Sequence, residues 1–292
     1  MQRCVDSIIA QSFADWEAIL VDDGSTDGSA AICDSYQATD CRIKAIHENN
    51  RGLGAARNRG IAETTGDYLM FVDSDDALSS ETLQMLAEET GLHSDCDLIE
   101  FPIFTKYGNA KEQSIQTFPH KTYTDRWDYW FNGQAYTHSY ACNKIFKREV
   151  FDKVRFTENK KFEDLFTLPK IMDVCKKIAT TDAGLYYYYD NGNGITATAG
   201  TGIEDLLEAH LLVIQGQLNW KCPCHISRKA FNQYYAHLVN IQLTVCERCG
   251  LHKLHVPTLS VAVSPKTALL SIVGMKNMCK LNNLYHKLCN NH

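Results

Sequence analysis

Apolar strands and helices alternate along the first hundred residues, and this order constrains the fold more than any other feature of the chain. EAILV (17–21), RIKAIHE (42–48), DYLMFV (67–72) and DLIEFPIF (97–104) read as buried strands. Between them lie helical stretches: one after the Ser/Thr cap at 25–26, then GLGAARNRGIAET (52–64) and SSETLQMLAEETGL (79–92). Strands apolar on both faces and separated by helices predict a mostly parallel sheet covered on both sides, the α/β class. Ligands of such sheets bind at the carboxyl ends of the strands. Two strands end there in acids. EAILV runs into Asp22 and Asp23, and DYLMFV into Asp73, Asp75 and Asp76. Parallel strands would bring both clusters to one edge of the sheet, where clustered carboxylates repel unless a cation sits among them.

The middle of the chain is less regular. TKYGNAKEQSIQTF reads as a hairpin, DRWDYWFN as an aromatic helix, KFEDLFTLPKIMDVCK (161–176) as a helix, and KIATTD and LYYYYD as short strands before the glycine loop NGNGIT. From residue 202 onward the pattern is helical. The expected organisation is a domain over 1–200 followed by a helical extension over 201–292. At 292 residues, with 45% hydrophobic and 22% charged content, the chain has the make-up of a globular protein with a sizeable core. A net charge of −6 gives no electrostatic reason to expect a nucleic-acid partner. No apolar run reaches the length of a membrane span. The opening MQRCVDSIIAQSF does not read as a secretion signal.

Twelve cysteines are scattered, several in apolar runs, as reduced and packed thiols are. Cys222, Cys224 and His225, followed by Cys246 and Cys249, have spacings within reach of a zinc site. Both pairs lie in helix-like sequence rather than in Gly-rich turns, so they read as incidental thiols.

Five stretches together resemble family 2 glycosyltransferases of the GT-A fold: ILVDDGSTDGS, ENNRGLGAARNRGI, GDYLMFVDSDD, ACNKIFKREVF and FEDLF. Their order and spacing match the family over roughly residues 1 to 197. The resemblance implies a nucleotide-sugar donor, with UDP as the expected nucleotide, and a glycan or lipid-linked acceptor in the synthesis of a surface polysaccharide. It places Asp73 against the ribose and gives Asp75 to Mg2+ or Mn2+, whose preference for hard oxygen ligands the carboxylates meet. Asp22 and Asp23 match positions that contact the base and ribose, and Asn50 and Arg57 match nucleotide-side positions. A solvated helix arginine is an equal reading of Arg57. In FEDLF, Asp164 matches the general base and Glu163 an acceptor-binding or orienting residue. One displacement with one base implies inversion. No Q-x-x-R-W stretch of processive synthases occurs, which favours single additions. A nucleotidyltransferase would need a Gly-rich, basic first loop, and none is visible. A non-catalytic fragment or nucleotide-binding module is the other alternative.

Two features depart from the family pattern. Family members open with a central strand of the type V-S-V-I-I-P-x-Y-N, whereas this sequence begins inside the helix expected to follow it, so an N-terminally truncated record is expected. Gly194-Ile195-Thr196 also replaces the usual Ser-Ile-Thr of the glycine loop. In the tail, no Asp or Glu follows Glu247, while Met278, Leu281, Leu284, Tyr285 and Leu288 recur at helical spacing, with Lys276, Lys280 and Lys287 on another face. That pattern suits a helix lying on an anionic membrane surface, hence peripheral contact at the cytoplasmic membrane face. It equally suits an amphipathic helix packed on its own domain, the commoner use.

Overall fold

The computed structural model describes residues 1–191, 200–250, 255–259 and 264–289; the glycine loop Gly194-Ile195-Thr196 lies outside them. The chain divides into two compact units, Met1–Arg126 with Ser139–Gly192, and Trp127–His138 with Asn193–His292.

The first unit begins with α1 (Gln2–Ile9), β1 (Ala18–Asp22), α2 (Ser29–Thr39), β2 (Ile43–His47) and α3 (Leu53–Glu63). It continues through β3 (Tyr68–Met70), β4 (Ala77–Leu78), α4 (Thr82–Leu92), β5 (Leu98–Glu100), β6 (Ile103–Tyr107), β7 (Ser114–Gln116) and β8 (Lys121–Tyr123). After the segment belonging to the second unit come β9 (Lys144–Lys147), α5 (Glu163–Val174), β10 (Ile178–Thr180) and β11 (Tyr186–Tyr189). The α/β class and the strand-helix order stand as read from the sequence. The pairing does not, because the strands are mixed rather than mostly parallel. Among the described residues three sheets form, β1-β2, β3-β9-β5-β10-β8 and β4-β11-β6-β7, and of their pairings only β1/β2, β5/β10 and β6/β11 are parallel. Two of the antiparallel pairings come from β9, which arrives from far along the chain and enters between β3 and β5; β8/β10, β4/β11 and β6/β7 are antiparallel as well. No local periodicity encodes such a partner.

DLIEFPIF, read as one strand, is two. Pro102 has no N–H to give a ladder, so the chain breaks there and β5 and β6 enter different sheets. The expected hairpin forms between β6 and β7. The two acid-tipped strands β1 and β3 share no sheet, which corrects the expectation of a common sheet edge. Among the described residues, β1 pairs only with β2 and β3 only with β9. The core of this unit includes Leu86, Phe101, Ile103, Cys142 and Tyr186, all nearly or fully buried.

The second unit is helical, with α6 (Ile203–Leu211), α7 (Arg228–Cys249), α8 (Pro265–Val273) and α9 (Met275–Cys289). The aromatic segment read as a helix is a short π-turn over Asp128–Asn132, and it belongs here. Trp130 and Phe131 pack edge-on against Tyr234 of α7, with ring centroids 5.7 and 5.5 Å apart. Ser227 caps α7, and Ser264 with Thr267 forms a capping box at α8. Cys222 Sγ donates to the Ile226 carbonyl at 3.3 Å, while Cys246 is buried in α7 and accepts from Gln242 Nε2 at 3.3 Å. In α9 the anticipated apolar face divides. Met275, Met278 and Cys279 are buried, whereas Leu281, Leu284 and Tyr285 face solvent with Lys276 and Lys280. The side chains of Lys287 and Leu288 lie outside the described residues.

Candidate functional site

The carboxyl end of β1 is held by its neighbours. Asp22 is buried and accepts from the Ser25 N–H at 3.0 Å; His47, at the end of β2, lies 3.0 Å from it through Nδ1. The Ser25 bond and the imidazole together keep the Asp22 carboxyl below its usual range. His47 Nε2 reaches Asp34 at 3.0 Å, and the two carboxylates, Asp34 first, raise the imidazole pKa. Asp23 accepts from two consecutive backbone N–H groups, Arg51 and Gly52, each at 2.7 Å. Asn50 is exposed in the same loop. Gly24 permits this approach of two loops. It has φ +71°, and a Cβ there would lie 2.7 Å from the Asn50 nitrogen.

Arg57 overturns one of its two sequence readings, because it is buried rather than solvated. Its side chain is 6% exposed and bridges three carboxylates from two distant segments. Nη2 meets Asp73 Oδ1 at 2.9 Å; Nη1 meets Glu163 Oε1 at 2.6 Å and also Asp164 Oδ1. Burial works against the guanidinium charge, but Asp164, Asp73 and Glu163 outweigh it and raise the pKa beyond the ordinary arginine range. Two contacts bring α3 to this position. A Cβ at Gly54 would lie 2.5 Å from the Thr157 carbonyl oxygen, so only glycine allows the approach. Asn58 donates to the Phe156 carbonyl and accepts from the Phe156 N–H, at 3.0 and 2.8 Å. The loop thus fastened to α3 leads into α5, whose first turn carries Glu163 and Asp164. Acids are favoured at a helix start. Burial raises both carboxyls above their ordinary values, and Arg57 opposes the rise. Asp164 Oδ2 also accepts from the Ala141 N–H at 3.1 Å.

Beyond β3, the three aspartates have different surroundings. Asp73 is 28% exposed and faces Arg57. Asp75 is half-buried; its side chain accepts from Asn191 Nδ2 at 2.8 Å, and its carbonyl from Arg3. Asp76 is buried and structural. It accepts from the Tyr186 hydroxyl at 2.8 Å and from the Tyr189 N–H at 2.9 Å, and burial lifts its carboxyl to about 7. The same hydroxyl accepts from the Asp73 N–H at 3.0 Å, so Tyr186 ties the whole strand end together. Sequence reading missed Tyr186. Its only signal was the four-tyrosine run, whose alternation points Tyr186 inward.

Asp73, Glu163 and Asp164 thus gather around the buried Arg57 guanidinium, three carboxylates to one cation, while Asp75 stands apart beside Asn191. Among the described residues, no three His, Cys, Asp or Glu side chains stand together as a metal-ligand group. Mg2+ needs only one or two carboxylates when phosphates and water complete its shell, and carboxylates suit Mn2+ equally. The half-buried Asp75 carboxylate is a hard oxygen donor of the kind such an ion takes.

The family model described as Glycosyl transferase family 2 matches residues 1–155. Glycosyltransferase GlyG of Streptococcus pneumoniae serotype 4 is 30% identical over 212 residues, which are 67% of this chain and 68% of GlyG. The minor teichoic acid biosynthesis protein GgaB of Bacillus subtilis is 28% identical over 214 residues, 68% of this chain but only 22% of GgaB. Among solved structures, S. aureus TarS 1–349 in complex with UDP-GlcNAc shares the fold, with a TM-score of 0.69 and 18% identity over 98% of this chain and 87% of that one.

Proposed function

The chain is a member of glycosyl transferase family 2, and from that premise we propose that it moves a sugar, with inversion, from a UDP-sugar to a hydroxyl of a glycan or lipid-linked acceptor in surface-polysaccharide synthesis. The observation that carries this reading is the bridging of Asp73 to Glu163 and Asp164 through Arg57. A strand-end acid suited to the donor and a helix-start acid suited to the acceptor are thereby held in one cluster. UDP is supported by the likeness to TarS with UDP-GlcNAc, and a surface glycan by the kinship with GgaB.

In this reading the first unit, Met1–Arg126 with Ser139–Gly192, is the catalytic domain, and the second, which takes in Trp127–His138 beside the expected 201–292, is a helical extension. Asp22 and Asp23, with the 48–52 loop and Asn50, take the base and ribose; Asp73 takes the ribose side. Asp75 would hold Mg2+ or Mn2+, which would supply positive charge for the departing diphosphate. Asp164 accepts the proton of the acceptor hydroxyl as the new C–O bond forms on the face opposite the leaving group. Glu163 orients the acceptor. Arg57 fixes the cluster and limits repulsion among its acids.

No helix among the described residues is long and apolar enough to cross a membrane. The outward face of α9, with Leu281, Leu284 and Tyr285 exposed beside Lys276 and Lys280, suits peripheral contact with anionic lipid at the cytoplasmic membrane face.

The roles of the acids separate in two variants. UDP release is measured for a panel of UDP-sugars, and UDP affinity with and without Mn2+. Asp75→Asn lowers metal-dependent UDP affinity and turnover together. Asp164→Asn leaves that affinity in place and lowers turnover by about 10²–10⁴-fold. Normal turnover in Asp164→Asn would remove it as base and put Glu163 in its place.

A further inference from the structure

A buried ion pair lies behind the proposed base. Lys144, the first residue of β9, stands in register opposite Glu100, the last of β5. Both side chains are fully buried, and Nζ is 2.7 Å from Glu100 Oε1. The ammonium also donates to Asn143 Oδ1 at 3.0 Å and to the Tyr140 carbonyl at 2.8 Å. These three acceptors match the three N–H bonds of a lysine ammonium. Asn143 is itself pinned, donating to the Phe101 carbonyl at 3.0 Å.

Burying two charges costs more than packing two apolar side chains of the same volume. The pair therefore calls for a reason other than stability, and the Tyr140 carbonyl supplies one. It is the oxygen end of the peptide group whose nitrogen end is the Ala141 N–H, and that N–H donates to Asp164 Oδ2. An ammonium on the oxygen polarises the peptide and strengthens its N–H as a donor, since hydrogen bonds in a chain reinforce one another where the dielectric is low. Oδ1 of the same carboxylate is held by Arg57. Each oxygen of Asp164 thus has one fixed donor, one from α3 and one from the chain entering β9.

We infer that Lys144 and Glu100 are positioning residues for the proposed base, aiming and keeping ionised the Asp164 carboxylate through the Tyr140–Ala141 peptide. This rests on the reading of Asp164 as base. The charged and titratable groups facing Asp164 are Arg57, Glu163, Asp73, Lys144, Tyr140 and Cys142. Of these, only Lys144 is joined to it through a peptide. A donor to the ionised form lowers a carboxyl pKa, so weakening that donor raises it. Turnover that needs the ionised base then loses its acid side first, and the acid limb moves to higher pH.

The test replaces the pair without leaving a lone charge. Lys144→Met/Glu100→Gln leaves no lone buried charge; the shift that follows combines the direct field of the ammonium on Asp164 with its action through the peptide, and the Ala141 amide reports the latter. The assay is the pH profile of UDP release from whichever UDP-sugar of the panel is turned over fastest, alongside UDP affinity. The expected result is an unchanged UDP affinity, a fall in kcat of about tenfold, and an acid limb raised by up to about one pH unit. Glu100→Gln alone keeps the ammonium on Tyr140 and leaves the limb near its parent position. A fall in kcat with an unmoved limb, or an equal loss of UDP affinity, overturns the inference. A measurement on the parent protein does not depend on any variant folding. With 15N-alanine labelling, the Ala141 amide proton should titrate along the acid limb, and an amide that ignores the limb overturns the inference as well. Failure of the base itself is distinguishable, because Asp164→Asn would then turn over at the parent rate.

Discussion

Replacing Arg57 with methionine removes the one cation that three partly buried carboxylates share. Glu163 is only 6% exposed, Asp164 19% and Asp73 28%, so water screens the loss of the guanidinium poorly. Removing one partner of a buried ion pair costs about 3–5 kcal/mol. Asp73, being the most exposed, contributes least to that figure. For a unit of roughly 180 residues, each kcal/mol moves Tm by about 2–4 °C, so Arg57→Met should melt roughly 6–20 °C below the parent at neutral pH. The pH dependence follows from the direction of the carboxyl shifts. Burial already raises Glu163 and Asp164, and without Arg57 they rise further. An acid with a raised folded pKa destabilises the fold above that pKa and stops doing so once protonated. The deficit of the variant is therefore full at alkaline pH and shrinks as pH falls through the raised values. Arg57→Lys keeps the charge but cannot span three carboxylates, and should fall between the two. The assay is thermal unfolding of all three proteins from about pH 5 to about pH 9. A methionine variant within about 2 °C of the parent across that range would refute the claim that Arg57 carries the cluster.

Gly24→Ala places a Cβ against the Asn50 nitrogen on a backbone with φ +71°; it should cost about 1–3 kcal/mol and weaken UDP binding, which calorimetry would report. His47 has a raised pKa between Asp34 and Asp22, so its favourable charge is fully present below the ordinary histidine value and is lost as pH rises through the folded one. The stability advantage of the parent over His47→Gln should accordingly be greatest in mild acid and vanish by about pH 9, as melting curves across pH would show. Changing Leu284 to Ser and Lys276 and Lys280 to Glu alters only exposed positions of α9; it should release the protein from anionic vesicles at low salt, and unchanged sedimentation with vesicles would leave that helix without a membrane role.

What the sequence shows and what it hides divide along range. The helices α2, α3, α4 and α5 and the strands β1, β2 and β3 were legible because their periodicity and caps are local. The positions of Asp22, Asp23, Asp73, Asp75, Glu163 and Asp164 were legible because strand ends and helix starts put them there. The antiparallel entry of β9 was not, because its pairing depends on residues dozens of positions away. Two-residue β4 and three-residue β8 are too short to carry a period. Arg57 looks like an ordinary helix residue in its own neighbourhood; its partners Glu163 and Asp164 lie 106 and 107 residues on. The Lys144–Glu100 pair was invisible for the same reason. Each residue alone reads as a surface charge, and only the β5–β9 register buries them together.

The central claim is a single displacement assisted by Asp164 in a cluster held by Arg57. Its most direct test is the anomeric configuration of the transferred sugar, read by NMR from the product of an α-linked UDP-sugar with the acceptor it glycosylates. The account predicts a β-linked product formed by the parent and not, at a comparable rate, by Asp164→Asn. An α-linked product would contradict it, since retention needs a second displacement for which this site has been assigned no nucleophile.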